Sequence, residues 1–249
     1  MSPLIDLEGR RAFISGSLER TGLGIAEHLA RCGASIILHG RNDDERAQDA
    51  RTRLAAISEK QPTLLFGDIS DPSVCERLAE QTGALDILVN NVGVYAPKDL
   101  AETDASHWRW TMTGNLDVTF FMAQAFLPAL LKGGNGRLIQ IGFTGCDRLR
   151  PTGQATAYQI AKTGVHLLSQ SYAKRYAHRG LTSNTVSPGQ LENSIDLPSA
   201  GKLPSGRAGR IDEVAGAVAF LASRKADYIN GTNINIAGGW EPQQRPYED

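Results

Sequence analysis

The chain has 249 residues, of which 41% are hydrophobic and 21% charged, a composition close to that of water-soluble globular proteins. That length can build one large domain, and a formal net charge of -1 leaves no basic field to attract nucleic acid or an anionic membrane surface. The opening MSPLIDLEGRR has acids and arginines where a secretory leader needs an apolar core, and no later run approaches the roughly 18 apolar residues of a membrane span, so a cytoplasmic location is expected.

Short runs rich in Ile, Leu and Val alternate with longer stretches of helical period, which predicts strands alternating with helices in a parallel sheet. The first strand is expected at residues 11–16. It runs into ISGSLERTGLGIAEHLA, where Gly16, Gly22 and Gly24 precede an amphipathic helix closed by Arg31-Cys32-Gly33. A strand, a glycine-rich turn and a helix present backbone N–H groups and the positive end of a helix dipole to an anion. No Lys-Ser or Lys-Thr pair follows the glycines, which excludes a P-loop.

The second strand, 35–40, ends His39-Gly40-Arg41-Asn42, and the third, 63–67, leads into Asp68-Ile69. Asp71-Pro72 then opens a helix with a capping acid and a proline at the first helical position. The fourth strand, 86–90, is followed by Asn90-Asn91-Val92-Gly93; Asp86 at its start reads as a turn or capping acid. Trp108 and Trp110 flank Arg109 at the start of a long helix, where helix packing or a subunit contact is expected of them, and the same helix carries Asn115. A loop at Gly133-Gly134-Asn135-Gly136 precedes the fifth strand, 137–142. Next comes a helix with Tyr158 and Lys162 four apart, on one face, above a buried stripe of Ala161, Val165, Leu168 and Tyr172. A nearby ammonium is expected to lower the tyrosine's pKa and make it a usable acid/base. The sixth strand, 182–187, ends in Ser187-Pro188-Gly189; a helix opens at Ile211-Asp212-Glu213; and the seventh strand, 233–237, precedes Gly238-Gly239 and a polar tail, 241–249.

Cys32, Cys75 and Cys146 are odd in number and far apart, and the five histidines form no H-E-x-x-H motif, so neither a disulfide framework nor a metal site is expected.

Asn90-Asn91-Val92-Gly93, Asn115, Tyr158-Gln-Ile-Ala-Lys162, Ser187-Pro188-Gly189 and Gly238-Gly239, in that order, resemble the motifs of the short-chain dehydrogenase/reductase family. The glycine run is similar to that family's T-G-x-x-x-G-x-G, with Ser15 for the threonine and two extra residues in the turn. The resemblance implies an α/β fold: a single Rossmann-like, doubly wound domain with a seven-stranded parallel sheet flanked by helices. It implies a nicotinamide dinucleotide across the carboxyl ends of the strands, held by Gly16, Arg20, Gly22, Leu23, Gly24, Arg41, Asp68, Ile69, Asn90, Gly93, Tyr158, Lys162, Pro188 and Gly189. An acid ending the second strand would favour NAD(H). Here Gly40 stands in its place and Arg41 follows, so NADP(H) is expected, with NAD(H) the alternative. Arg20, in the enlarged turn, is expected to add a second contact to a 2'-phosphate.

By the same resemblance Tyr158 is the acid/base of a carbonyl–alcohol interconversion, Lys162 its partner and ribose ligand, and Asn115 the asparagine of the proton relay. The family's serine lies thirteen residues before its tyrosine, a count that reaches Gly145; allowance for the longer GQATAY run reaches Thr144, and counting from the strand reaches Phe143. Thr144 is taken, because a hydroxyl can donate to a developing oxyanion. The resemblance places a short lid at about residues 190–206. Family habit implies a homotetramer or homodimer. The rival readings are an NAD-dependent polyol or sugar dehydrogenase and a nucleotide-binding regulator without turnover.

Overall fold

A computed structural model describes residues 5–149, 151, 153–195 and 197–241. Seven strands form one sheet in the order β3-β2-β1-β4-β5-β6-β7. They are β1 (Arg11–Ile14), β2 (Ser35–Gly40), β3 (Thr63–Phe66), β4 (Ile87–Asn90), β5 (Arg137–Ile141), β6 (Thr182–Pro188) and β7 (Asn233–Ile236), and every neighbouring pair is parallel. Between them lie α1 (Arg20–Arg31), α2 (Glu45–Ala55), α3 (Pro72–Thr82), α4 (Ala105–Met112), α5 (Val118–Lys132), α6 (Thr156–Tyr176) and α7 (Ile211–Ala222). Strand order reverses between β1 and β4, which opens a crevice at their carboxyl ends.

Helices cover both faces because alternate strand residues feed two cores. Ala12, Ile14, Ile36, Leu38 and Ile139 pack with the buried sides of α1 and α7, whereas Phe13, Ile37, Leu88 and Leu138 pack with those of α3 and α5. Local signals set the helix ends: the Asp71 carboxylate accepts from Ser73 N with Pro72 at the first helical position, and Gly33 leaves α1 at φ +97°.

Several expectations change. β1 stops at Ile14 because Gly16 turns into the left-handed region at φ +61°. Asp86 precedes β4, where its carboxylate caps the sheet by accepting from Arg11 N at 2.8 Å. Residues 105–132 form a 28-residue helical run that is, by length and composition, long and apolar enough to cross a membrane. Its Val118, Met122, Phe126 and Leu130 are buried in the second core, so those apolar residues serve as a core face. Trp108 and Trp110 are exposed within the chain, so neither packs into a helix interface there.

Candidate active site

The dinucleotide turn is fixed from several sides at once. The Ser15 hydroxyl accepts from both Asn91 N and Val92 N, at 3.0 and 3.1 Å, and the Asn91 amide donates to Ser15 O and Gly16 O. A Cβ on Gly22 would lie 2.2 Å from Gly16 O, and one on Gly24 would lie 2.3 Å from Ile211 Cγ2. Gly22 therefore lets the helix start close onto the turn, while Gly24 lets α1 approach α7. Glu19, ahead of α1, gives no side-chain cap, so the first-turn N–H groups face the crevice without one. Leu23 differs from expectation: its N–H is spent on Glu19 O and its side chain is buried in the core.

His39, which the sequence reading did not single out, lies buried beneath this turn. Its Nδ1 accepts from Gly16 N at 3.2 Å, its Nε2 reaches Gly67 O at 3.1 Å, and its own N–H donates to Ser17 Oγ. Gly16 can only donate and Gly67 O can only accept, which fixes the neutral Nε2–H tautomer. Burial pushes the imidazole down to about 4, against the opposing effects of Gly67 O and Asp68.

At the carboxyl ends of β2 and β3, Arg41 Nε lies 3.3 Å from Asp68 Oδ2, and both side chains are open to solvent. The Ser70 backbone N–H, together with the Ser70 side chain and Arg41, holds the Asp68 carboxyl below its ordinary range. Ile69 is buried in the second core. A Cβ on Gly40 would lie 2.1 Å from Leu18 Cδ1, so a residue of the enlarged turn fills the space where an acidic side chain would begin. Arg20 corrects an expectation: held at φ +53°, it donates to Asn193 O in the segment after β6 and not toward Arg41. The enlargement thus sends Leu18 to the end of β2 and Arg20 to the segment after β6.

The chemical groups converge on Gly93. A Cβ there would lie 2.9 Å from Asn115 Oδ1 and 3.0 Å from Lys162 Nζ, so only glycine leaves both in place. Asn115 belongs to a π-helical turn, Thr113–Asp117, between α4 and α5, where one wide turn replaces the α-helix expected there. Its amide donates to Thr111 O and Val94 O, while its buried Oδ1 has no protein partner among the described residues. Asn90 holds this helix to the sheet through Thr119 O. Lys162, buried, donates to Ile141 O at 2.9 Å, and burial pushes its ammonium down to about 8. Its Nζ lies 5.9 Å from the centroid of the half-buried Tyr158 ring. Burial, followed by Tyr95 and Cys146, pushes the Tyr158 phenol up, so in the protein alone enclosure outweighs the ammonium effect expected from spacing. Of the stripe on α6, Ala161, Val165 and Tyr172 are buried and Leu168 is half-buried.

The segment after β5 holds the main correction. Thr144 is buried, its hydroxyl donates to Ser187 O at 3.2 Å, and its N–H donates to Pro188 O. The ring of Phe143 stands beside Tyr158 instead, with centroids 5.3 Å apart. The count from the strand therefore locates the position facing Tyr158, and a phenyl group fills it. Gly189 N–H donates to Ile236 O, and a Cβ there would lie 2.9 Å from Ala237 Cα, so this glycine lets β6 leave the sheet close against β7. The described cysteines are free, and no cluster of metal-binding side chains occurs among the described residues.

Comparison with known proteins agrees with this geometry. Residues 19–241 match the family model described as Enoyl-(Acyl carrier protein) reductase. The chain is 34% identical over 247 residues to the 3-oxoacyl-[acyl-carrier-protein] reductase FabG of Escherichia coli, covering 94% of this chain and 98% of that protein. It superposes with a TM-score of 0.85 on a 3-oxoacyl (acyl-carrier-protein) reductase from Agrobacterium tumefaciens solved with NADP bound, at 31% identity, covering 94% of this chain and 95% of that one. The same score and 30% identity relate it to a gluconate 5-dehydrogenase from Burkholderia cenocepacia in complex with NADP and tartrate, covering 94% of this chain and 96% of that one. With its reversed parallel sheet, its glycine turn and its Tyr158–Lys162 helix, the chain belongs to the short-chain dehydrogenase/reductase family.

Proposed function

We propose that the protein is an NADP(H)-dependent oxidoreductase that interconverts a carbonyl compound and an alcohol. The observation that carries this reading is the convergence of buried Lys162 and Asn115 on Gly93, beside Tyr158. Burying the Lys162 ammonium, and an Asn115 oxygen that has no partner among the described residues, is costly, and a site that handles protons and ribose hydroxyls accounts for both.

The residues fit the dinucleotide. Gly16 and Gly22 form a cradle that any Cβ would fill, with the start of α1 beside it. Arg41 supplies a planar cation at the end of β2, where Leu18 against Gly40 leaves no room for an acid. When bound, the nicotinamide supplies or accepts a hydride. Lys162 would then hold ribose hydroxyls, Asp68 would reach the adenine amino group, and Tyr158 would exchange a proton with the substrate oxygen. A phenol pushed upward keeps its proton at neutral pH, which suits Tyr158 to proton donation during reduction.

Exposed Trp110, Phe120, Ile160 and Leu167 on α4, α5 and α6 support association of copies of this chain through that helical side.

The test is Tyr158→Phe. Turnover is expected to fall by about 10²–10⁴-fold while fluorescence titration shows unchanged NADPH affinity, with NADPH binding more tightly than NADH. Unchanged turnover would refute the role of Tyr158, and tighter NADH binding would refute the choice of cofactor and favour the polyol-dehydrogenase reading.

A further inference from the structure

The surroundings of Tyr158 bear on what the site accepts. The Phe143 ring meets the Tyr158 ring at 5.3 Å and 75°, and the Tyr95 ring meets it at 4.9 Å and 74°. Both are edge-to-face contacts, so the acid/base is set among aromatic rings. In the run Phe143 to Leu149 the one hydroxyl side chain is Thr144, and its proton goes to Ser187 O.

The loops at this end of the sheet are also apolar toward solvent. Leu149, after β5, is 92% exposed; Ile195 and Leu197, after β6, are 70% and 41% exposed. β5 and β6 are parallel neighbours, so both loops leave the same end of the sheet. An isolated exposed leucine means little, but three large aliphatic side chains are exposed on the two loops that follow β5 and β6. A polyhydroxy substrate would set hydroxyls against the Phe143 ring, which cannot pair with them, whereas a flat aromatic group would gain ring contacts with Phe143 and Tyr95.

We propose that Phe143 and Tyr95 determine specificity and that the substrate is an aromatic aldehyde or ketone, or the corresponding alcohol. Both roles rest on Tyr158 being the proton donor of the reaction proposed above. In reduction the carbonyl carbon gains a hydride, with its electron pair, from NADPH. The C=O π pair moves onto oxygen, which takes the Tyr158 proton, leaving an alcohol and NADP+. Phe143, beside the Tyr158 ring, then offers a phenyl group where the family's serine would offer a hydroxyl.

Benzaldehyde and glyceraldehyde, two aldehydes that differ in carrying a ring or hydroxyls, test this through initial rates of NADPH oxidation. Wild-type kcat/KM is expected to favour benzaldehyde by about tenfold or more, and Phe143→Ser to lower that preference by about tenfold, the order of one aromatic contact. Phe143→Leu, apolar without a ring, should fall between them, and it decides the matter if the serine variant fails to fold or loses NADPH binding by fluorescence titration. Equal or better use of glyceraldehyde by the wild type, a preference unchanged in the folded variants, or no reduction of benzaldehyde would each overturn the inference. Reduction of glyceraldehyde alone, abolished by Tyr158→Phe, would overturn it while leaving the oxidoreductase reading intact; turnover that survives Tyr158→Phe would instead strike at that reading.

Discussion

The two ends of the crevice are built in different ways. On the β1–β3 side, a Cβ at Gly16, Gly22, Gly24 or Gly40 would come within 2.8 Å of another atom. In the segment after β6, Gly201 and Gly206 would meet nothing within 4 Å. The first region is specified by backbone held tightly against its neighbours, Gly22 against Gly16 O and Gly16, Gly24 and Gly40 against the side chains of Val92, Ile211 and Leu18, as suits a ligand whose diphosphate is the same in every turnover. The second is specified by side chains on open loops, where substitution alters the pocket without disturbing the sheet.

The sharpest way to break that contrast is to add a methyl group on each side. Gly22→Ala would drive a Cβ to 2.2 Å from Gly16 O and 2.6 Å from the Asn91 amide nitrogen, so the turn must move. We expect a loss of about 1–3 kcal/mol in thermal or urea unfolding together with severely weakened NADPH binding. Gly201→Ala, with open space around it and no left-handed φ, should stay within about 0.5 kcal/mol of wild type. Equal effects at the two sites would mean that the cofactor turn is more compliant than its packing indicates.

A second prediction probes what lies beneath the rigid side. Folded His39 titrates near 4 against 6.5 for an exposed imidazole. Between those values the unfolded chain binds a proton that the folded chain does not, so stability is complete above about 6.5 and is lost as pH falls toward 4. The loss amounts to at most about 3 kcal/mol. Protonation would also set an Nδ1–H against the Gly16 N–H and release the turn. Urea unfolding from pH 7 to pH 4 should therefore show a steeper decline for wild type than for His39→Gln; parallel curves would remove His39 from that role. The comparison of variants matters because His166, buried beside Thr185 Oγ1, is also lowered by burial.

The distinction between the two sides also explains what could be read from the sequence. β2 spans 35–40, as its Ile36-Ile37-Leu38 run predicts, and β4 was legible in the same way because a sheet covered on both faces needs such apolar runs. Gly16, Gly93, Lys162 and Asn115 were legible as motif residues, since backbone approach and buried charge tolerate few alternatives. Leu18 was not, because its effect arises only when the enlarged turn folds back onto Gly40 at the end of another strand. Arg20 was misplaced for a related reason: its left-handed backbone sends the guanidinium to Asn193, and nothing in the local sequence encodes that partner. His39 has a visible signal, a titratable residue inside an otherwise apolar strand, whose meaning depends on Gly16 and Gly67 from the neighbouring strand ends.

The smallest expected effect concerns the residue on which counting and geometry part. Thr144 was chosen for its hydroxyl, yet that hydroxyl is buried and directed at Ser187 O, where it ties the loop after β5 to the end of β6. Thr144→Ala should thus cost about 1 kcal/mol of stability, the net value of one buried hydrogen bond, and leave kcat close to wild type. A donor to the developing oxyanion would behave differently, since removing one typically lowers kcat by about 10²–10³-fold without weakening cofactor binding. A fall of that size in Thr144→Ala, with NADPH affinity intact, would show that the loop turns its hydroxyl toward Tyr158 during turnover. The open side of the crevice would then share the catalytic work proposed for Tyr158 and its buried lysine.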